Sequence, residues 1–173
     1  MTRPLWHCHV AMSLDGMIAR ADGSYDWLYP YPPQDFGIDA YHESIGCIVM
    51  GRATYEVERR HDPWPHAGRP AIVVTSRPLV DPPPLVEAWS GPLEGLAQVL
   101  EGRGYARIGI EGGGQLIRGL VAIGRLDVLE MAVIPLVLGD GIPLFPSGTS
   151  ELPLRLAKSE AKTGGALHLV YER

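Results

Sequence analysis

The chain has 173 residues, a net charge of −5 and two cysteines. That length suits one domain with a sizeable core, and the acidic balance speaks against nucleic acid or an anionic membrane as a general partner. No stretch is long and apolar enough to span a bilayer, and histidines at 7 and 9 interrupt any leader-like apolar run. A cytoplasmic protein with free thiols at Cys8 and Cys47 is therefore expected.

Leu5 to Met12 reads as the first strand, with Cys8, Val10 and Met12 on one face and His7, His9 and Ala11 on the other. His7 and His9 lack an evident third ligand nearby, so no metal is expected and both read as ordinary strand residues. Ser13-Leu14-Asp15-Gly16 carries an Asp-Gly turn signal. Residues 20–34 form an irregular segment with Trp27, Tyr29-Pro30 and Pro32-Pro33; a long aromatic loop in a compact domain reads as a lid or as a cover for the core. A short helix is predicted over Asp35–Ser44. Ile45–Met50 is a continuous apolar run, the pattern of a strand covered on both faces, and it ends at Gly51-Arg52-Ala53-Thr54-Tyr55-Glu56, which starts another helix.

Residues 61–69 read as loop. Ala71–Val74 is a second buried run, ending in Thr75-Ser76-Arg77. Leu85–Trp89 reads as a short strand. Pro92 suits the first position of a helix, whose apolar face is Leu93, Leu96, Ala97 and Leu100. Ile108-Gly109-Ile110 then leads into Glu111-Gly112-Gly113-Gly114-Gln115-Leu116, followed by a helix with Ile117, Leu120 and Val121 on one side. Leu126–Ile134, Leu154–Lys162 and Ala166–Glu172 follow as strands with no helix between them, so an antiparallel C-terminal part is predicted, with Thr163-Gly164-Gly165 as a hairpin turn.

Alternation of strand and helix over the first two-thirds predicts a mainly parallel sheet with right-handed crossovers. Ligands of such sheets bind outside the carboxyl ends of the strands. Three of those ends carry Arg52, the hydroxyls of Thr75 and Ser76, Arg77, and a glycine triplet at a helix start, where free N–H groups and the helix dipole favour a phosphate. The set suits a nucleotide with a pyrophosphate and an additional phosphate. A tight packing turn is the alternative for the triplet. Neither the dinucleotide fingerprint of the doubly wound fold nor a P-loop fits.

Ser13–Ala19, Met50–Glu56, Glu111–Gly114 and the loop Pro135–Phe145, in that order, resemble the dihydrofolate-reductase-like superfamily, and within it the reductase domain of bifunctional riboflavin-biosynthesis enzymes and its stand-alone relatives. The resemblance implies an α/β three-layer fold, with a mostly parallel central sheet flanked by helices and antiparallel C-terminal strands. It also implies an NADPH-dependent oxidoreductase. Gly51, Arg52 and Thr54 would contact cofactor phosphates. Ser76 and Arg77 would hold the adenosine 2′-phosphate, with Thr75 beside them also binding the cofactor; Gly112, Gly113, Gly114, Gln115 and Leu116 the pyrophosphate; Ala11 and Ile18 would line the nicotinamide. Asp35 falls near the catalytic carboxylate of dihydrofolate reductases, or is a helix N-cap. Asp15 touches substrate or only makes its turn, and Trp27 closes over the nicotinamide or packs.

The expected substrate is a small heterocycle, either the aminouracil phosphate of riboflavin synthesis or dihydrofolate; an NADPH-sensing module without turnover is the third possibility. The zinc-deaminase motifs of the bifunctional enzymes do not occur in the chain. A homodimer is expected from the family.

Overall fold

A computed structural model describes residues 3–173; Met1 and Thr2, part of the segment read for a leader, lie outside the described residues. The strands are β1 (Leu5–Ser13), β2 (Met17–Ala19), β3 (Cys47–Gly51), β4 (Ala71–Val74), β5 (Val86–Trp89), β6 (Arg107–Ile110), β7 (Val128–Ile134), β8 (Ile142–Pro143), β9 (Arg155–Ala161) and β10 (Leu167–Glu172). The helices are α1 (Ile38–Ser44), α2 (Arg52–Glu58), α3 (Leu93–Gly102) and α4 (Gly114–Ala122).

Eight strands form one sheet in the order β5-β4-β3-β6-β1-β7-β10-β9. β5 through β7 run parallel, and β10 and β9 close the far side antiparallel. The expected antiparallel C-terminal part is present: β10 lies between β7 and β9 and runs antiparallel to both. β7 pairs parallel with β1 along its whole length, from His7 opposite Val128 to Ser13 opposite Ile134, because α4 carries the chain over the sheet before β7 begins. β10 alone runs against the other strands of this sheet. The loop after β7 also contains β8, which pairs with β2 in a separate two-stranded sheet.

The buried runs have both faces covered. In β3, Cys47 and Val49 join a core under α3 and α4, with Leu96, Leu100, Ile117 and Leu120. Ile48 and Met50 join a second core with Tyr41 of α1 and Tyr55 of α2. Strand alternation alone separates them. In β1 the same alternation sends Trp6 and Cys8 to the first core and turns His7 and His9 toward the Tyr41 ring. Burial pushes the Cys8 thiol up and holds that of Cys47 at about 12, so both stay inert thiols.

The helix expected over Asp35–Ser44 is two pieces. Pro33–Phe36 is a 3-10 turn, Gly37 breaks it with a φ of 80°, and α1 starts at Ile38. The N-cap of α1 is Gly37, not Asp35. Pro92 likewise is the N-cap of α3 rather than its first residue.

Candidate active site

β6 pairs with β1 only from Leu5 to Cys8, where its own last residue, Ile110, lies opposite. β1 runs on to Ser13 with β7 alone beside it. The parting of β6 from β1 opens a cavity of about 790 Å³ against His9, Val10 and Ala11. Its far wall is the aromatic segment predicted as a lid or cover: Tyr25, Leu28, Tyr29, Tyr31 and Phe36. Backbone N–H and C=O groups on a strand edge without a neighbour seek partners, so this floor suits a flat ring carrying an amide.

A second cavity, of about 390 Å³, adjoins the first. Gly51, Arg52, Thr54, Gly113, Gly114 and Gln115 line it. Ala53, Thr54, Gly113 and Ile142 border both spaces. The glycine triplet therefore stands between them, and its members differ in what they require. Gly112 and Gly113 have φ of 86° and 80°, a region closed to most side-chain-bearing residues. Gly114 starts α4 against the loop around β8: a Cβ there would run into the Pro143 carbonyl oxygen and sit 3.1 Å from that of Leu144. The packing-turn reading thus holds at Gly114.

Arg52 has two tasks. Its Nε donates to Glu56 Oε1 at 2.6 Å, and its Nη1 donates to the carbonyls of Arg77 and Pro78 at 3.3 and 3.1 Å. It thereby fastens the turn after β4 to α2. Thr75 folds that turn on itself, its hydroxyl accepting from the Arg77 N–H at 3.1 Å. Ser76 and Arg77 are exposed, and the Arg77 guanidinium has no ion pair or hydrogen bond among the described residues. Of the residues mapped to the nicotinamide, Ala11 and Ile18 both line the larger cavity. Leu116 lines the smaller one.

Three other residues fall away from the cavities. Asp35 is exposed on the 3-10 turn and lines neither, which removes the geometry its role as a proton donor requires. Asp15 also lines neither. Its carboxylate accepts from the Ser13 hydroxyl at 2.6 Å and from the Leu138 and Gly139 N–H groups at 3.1 and 2.8 Å. Those bonds hold its carboxyl down at about 2 and pin the loop after β7 to the turn after β1. Trp27 is buried among Phe36, Ala132, Ile134 and Ala166, so it packs.

His9 lines the larger cavity, although the sequence pattern gives it no task. Its Nε2 lies 2.7 Å from the Phe36 carbonyl oxygen. A carbonyl only accepts, so Nε2 carries the proton and Nδ1 is left as an acceptor. Burial, the largest influence, lowers the His9 pKa and favours this neutral ring. Below it lies a buried network that no sequence motif announces. Arg107 Nη1 is 2.8 Å from His7 Nδ1, His7 Nε2 is 2.9 Å from Glu130 Oε2, and His168 Nε2 is 2.7 Å from Glu130 Oε1.

The RibD C-terminal domain family matches residues 4–168. The chain belongs to that family. It is 34% identical over 167 residues to the uncharacterized protein YwjB of Bacillus subtilis (strain 168), covering 95% of each chain. Among solved structures, it is similar to a putative riboflavin biosynthesis protein from Shewanella sp. PV-4, at 30% identity and a TM-score of 0.87, with 98% of both chains covered. It also shares its fold with a bifunctional deaminase and 5-amino-6-(5-phosphoribosylamino)uracil reductase from Thermotoga maritima, at 17% identity and a TM-score of 0.74; 98% of this chain lies on 56% of that one. Membership of the RibD C-terminal domain family supports an oxidoreductase. No helix among its described residues is long and apolar enough to cross a membrane.

Proposed function

We propose that the protein is an NADPH-dependent reductase of a small flat heterocycle, of the riboflavin-pathway kind. The observation that carries this is the pair of cavities meeting at Thr54 and Gly113. The smaller has the features of a pyrophosphate cradle: Gly113 with its positive φ, the free N–H groups at the start of α4, and Arg52 alongside. Beyond Gly112 there is open space, with no atom within 4 Å of where a Cβ would stand. Arg77, exposed and unpaired, suits the additional phosphate that separates NADPH from NADH. The larger cavity has the flat, mostly apolar walls that a nicotinamide and a second ring require. The donor set fits the cofactor.

When bound, NADPH supplies a hydride from its nicotinamide ring. What the chain's own residues contribute is placement. The edge of β1 at Val10 and Ala11 orients an amide, and the tyrosines and Phe36 keep water from the reacting faces. His9 Nδ1 accepts from a ring N–H of the substrate.

The aminouracil phosphate named for the Thermotoga relative is the first substrate to test. The lining of the larger cavity favours a second reading of the substrate. It contains no lysine or arginine but holds Glu58 and Glu111, which suits a heterocycle without a phosphate. Loss of nicotinamide absorbance is followed with the aminouracil phosphate, its dephosphorylated form and dihydrofolate. Tight NADPH binding with no oxidation by any of them overturns the reductase assignment in favour of a sensing module. Arg77→Ala should weaken NADPH more than NADH; equal weakening sinks the 2′-phosphate role.

We further propose a homodimer through the outer edge of β9, a seven-residue strand with an unpaired side. A monomeric mass in solution contradicts it.

A further inference from the structure

Three side chains from distant parts of the chain converge behind the wall of the larger cavity. His42 stands in the last turn of α1, His66 in the loop after α2, and Glu111 just past β6. One donor atom from each lies within 4.8 Å of the other two. Their hydrogen bonding is incomplete. His66 is 2% exposed, yet both of its ring nitrogens lack a partner. Glu111 Oε1 is buried and also lacks one; His42 Nε2, at 3.6 Å, is beyond hydrogen-bond reach. Glu58 Oε2 stands 3.7 Å from His66 Nε2, again too far. Neither Glu58 nor Glu111 forms an ion pair with lysine or arginine among the described residues.

A buried carboxylate oxygen and a buried imidazole without partners, with a second carboxylate beside them, leave a deficit of positive charge and of donors for their lone pairs. Buried polar groups are satisfied in all but a few places, and each exception calls for an explanation. We propose that His42, His66 and Glu111 bind a divalent transition-metal ion of the zinc class, with Glu58 alongside as a fourth oxygen. Two imidazoles and a carboxylate match the ligand set of zinc and its neighbours, whereas calcium and magnesium take oxygen ligands alone.

The His42 and His66 rings are nearly perpendicular, at 89° with centroids 6.0 Å apart, so their nitrogens approach one point from different directions. A tetrahedral site with bonds of about 2.0–2.1 Å places donors about 3.3 Å apart. The side chains must therefore close inward on the ion. Arg69 faces the same region, with its Nη2 donating to the His42 carbonyl at 2.8 Å, which steadies the end of α1.

The ion would clamp the 61–69 loop to the sheet and set the Glu111 carboxylate, the residue before the glycine turn. Glu58 and Glu111 also line the larger cavity, but the test of the ion needs no cofactor. The test uses the whole protein, stripped with a chelator, dialysed and titrated with Zn²⁺ and with Co²⁺. Calorimetry is expected to show one saturable ion per chain. Cobalt is expected to give the visible ligand-field bands of imidazole and carboxylate coordination, and zinc to raise the melting temperature.

Glu111→Gln keeps the shape of the side chain and should abolish the one-to-one event and the cobalt bands, as should His66→Ala. His61→Gln, an exposed histidine of the cavity outside the cluster, should retain both. No saturable binding in the wild type, or undiminished affinity in Glu111→Gln, overturns the proposal, and Glu111→Gln decides alone if His66→Ala does not fold. NADPH binding, followed by nicotinamide fluorescence, is a separate readout, so the metal site and the cofactor site stand or fall independently.

Discussion

Gly114→Ala puts the packing half of the glycine turn under direct test. An alanine at the start of a helix ordinarily helps, by at most about 1 kcal/mol relative to glycine. Here the added methyl meets backbone. It would overlap the Pro143 carbonyl oxygen and crowd the Leu144 oxygen at 3.1 Å and Pro146 Cδ at 3.2 Å. A carbonyl in a paired segment cannot rotate away as a side chain can, so α4 or the β8 segment must shift. Overpacking of this kind costs about 1–3 kcal/mol, which outweighs the helical gain. For a chain of this size each 1 kcal/mol lowers the melting temperature by about 2–4 °C.

The displaced segment is paired with β2 and contributes Ile142 to both cavities, so NADPH affinity should fall as well. Gly102→Ala serves as the comparison: it ends α3, and its Cβ would meet nothing within 4 Å. That change should be neutral or stabilise by about 0.4–1 kcal/mol. Urea denaturation of the two variants beside the wild type gives the ordering. If Gly114→Ala is as stable as Gly102→Ala, the close approach of α4 to the β8 segment is wrong.

Asp15→Ala should speed amide exchange at Leu138 and Gly139, whose N–H groups it holds; unchanged protection there refutes the pinning role. Because the Asp15 carboxyl lies at about 2, below its ordinary value, its contribution is present above that ordinary value and is lost as pH falls toward 2. Glu130→Ala leaves His7 and His168 unpaired, at about 3 kcal/mol, the low end for a broken buried pair. Burial works to raise the Glu130 pKa, but the contacts from His7 and His168 outweigh it and the net shift is downward. The wild type should therefore lose more stability than the variant as pH falls below the ordinary glutamate range, which acid titrations of both will show. Trp27→Ala should cost about 3–5 kcal/mol as a core truncation. A selective loss of NADPH affinity at wild-type stability would instead restore Trp27 as a ring over the nicotinamide.

The parts of the fold that sequence pattern recovers are those where one strong physical constraint acts locally. β3 and β4 are legible because a strand buried on both faces has no polar residue to interrupt it. The ends of β3, β4 and β6 are legible because parallel strands put their carboxyl ends on one side, and the turn residues there are glycine, arginine and hydroxyl types. The pairing of β7 with β1 is a different matter. Which earlier strand a later one joins depends on the crossover of α4, and nothing local in Val128–Ile134 records it. The two-residue β8 is too short to leave a period.

Asp35 shows the limit of placing a residue by spacing alone: Gly37 breaks the expected helix and leaves Asp35 exposed on the preceding turn. His42, His66 and Glu111 share no motif, since they come from a helix end, a loop and a strand end. Arg52 is legible as a cation at a strand end, but its hold on the Arg77 and Pro78 carbonyls depends on the turn after β4 folding back over α2.

On the proposed NADPH assignment, the border of Ala53, Thr54, Gly113 and Ile142 between the two cavities would make the cofactor a bivalent ligand. Each half of a dinucleotide meets its own surface, and the linkage between halves turns the second encounter into an intramolecular one, at an effective concentration in the millimolar range for a short connection. The two halves supplied separately, as an adenosine bisphosphate and a nicotinamide mononucleotide, should therefore bind far more weakly than the joined molecule, even when both are present. Affinity then lies less in any one contact than in the spacing that the Thr54–Gly113 border imposes, and a change that moves that border should loosen the whole cofactor more than it loosens either fragment.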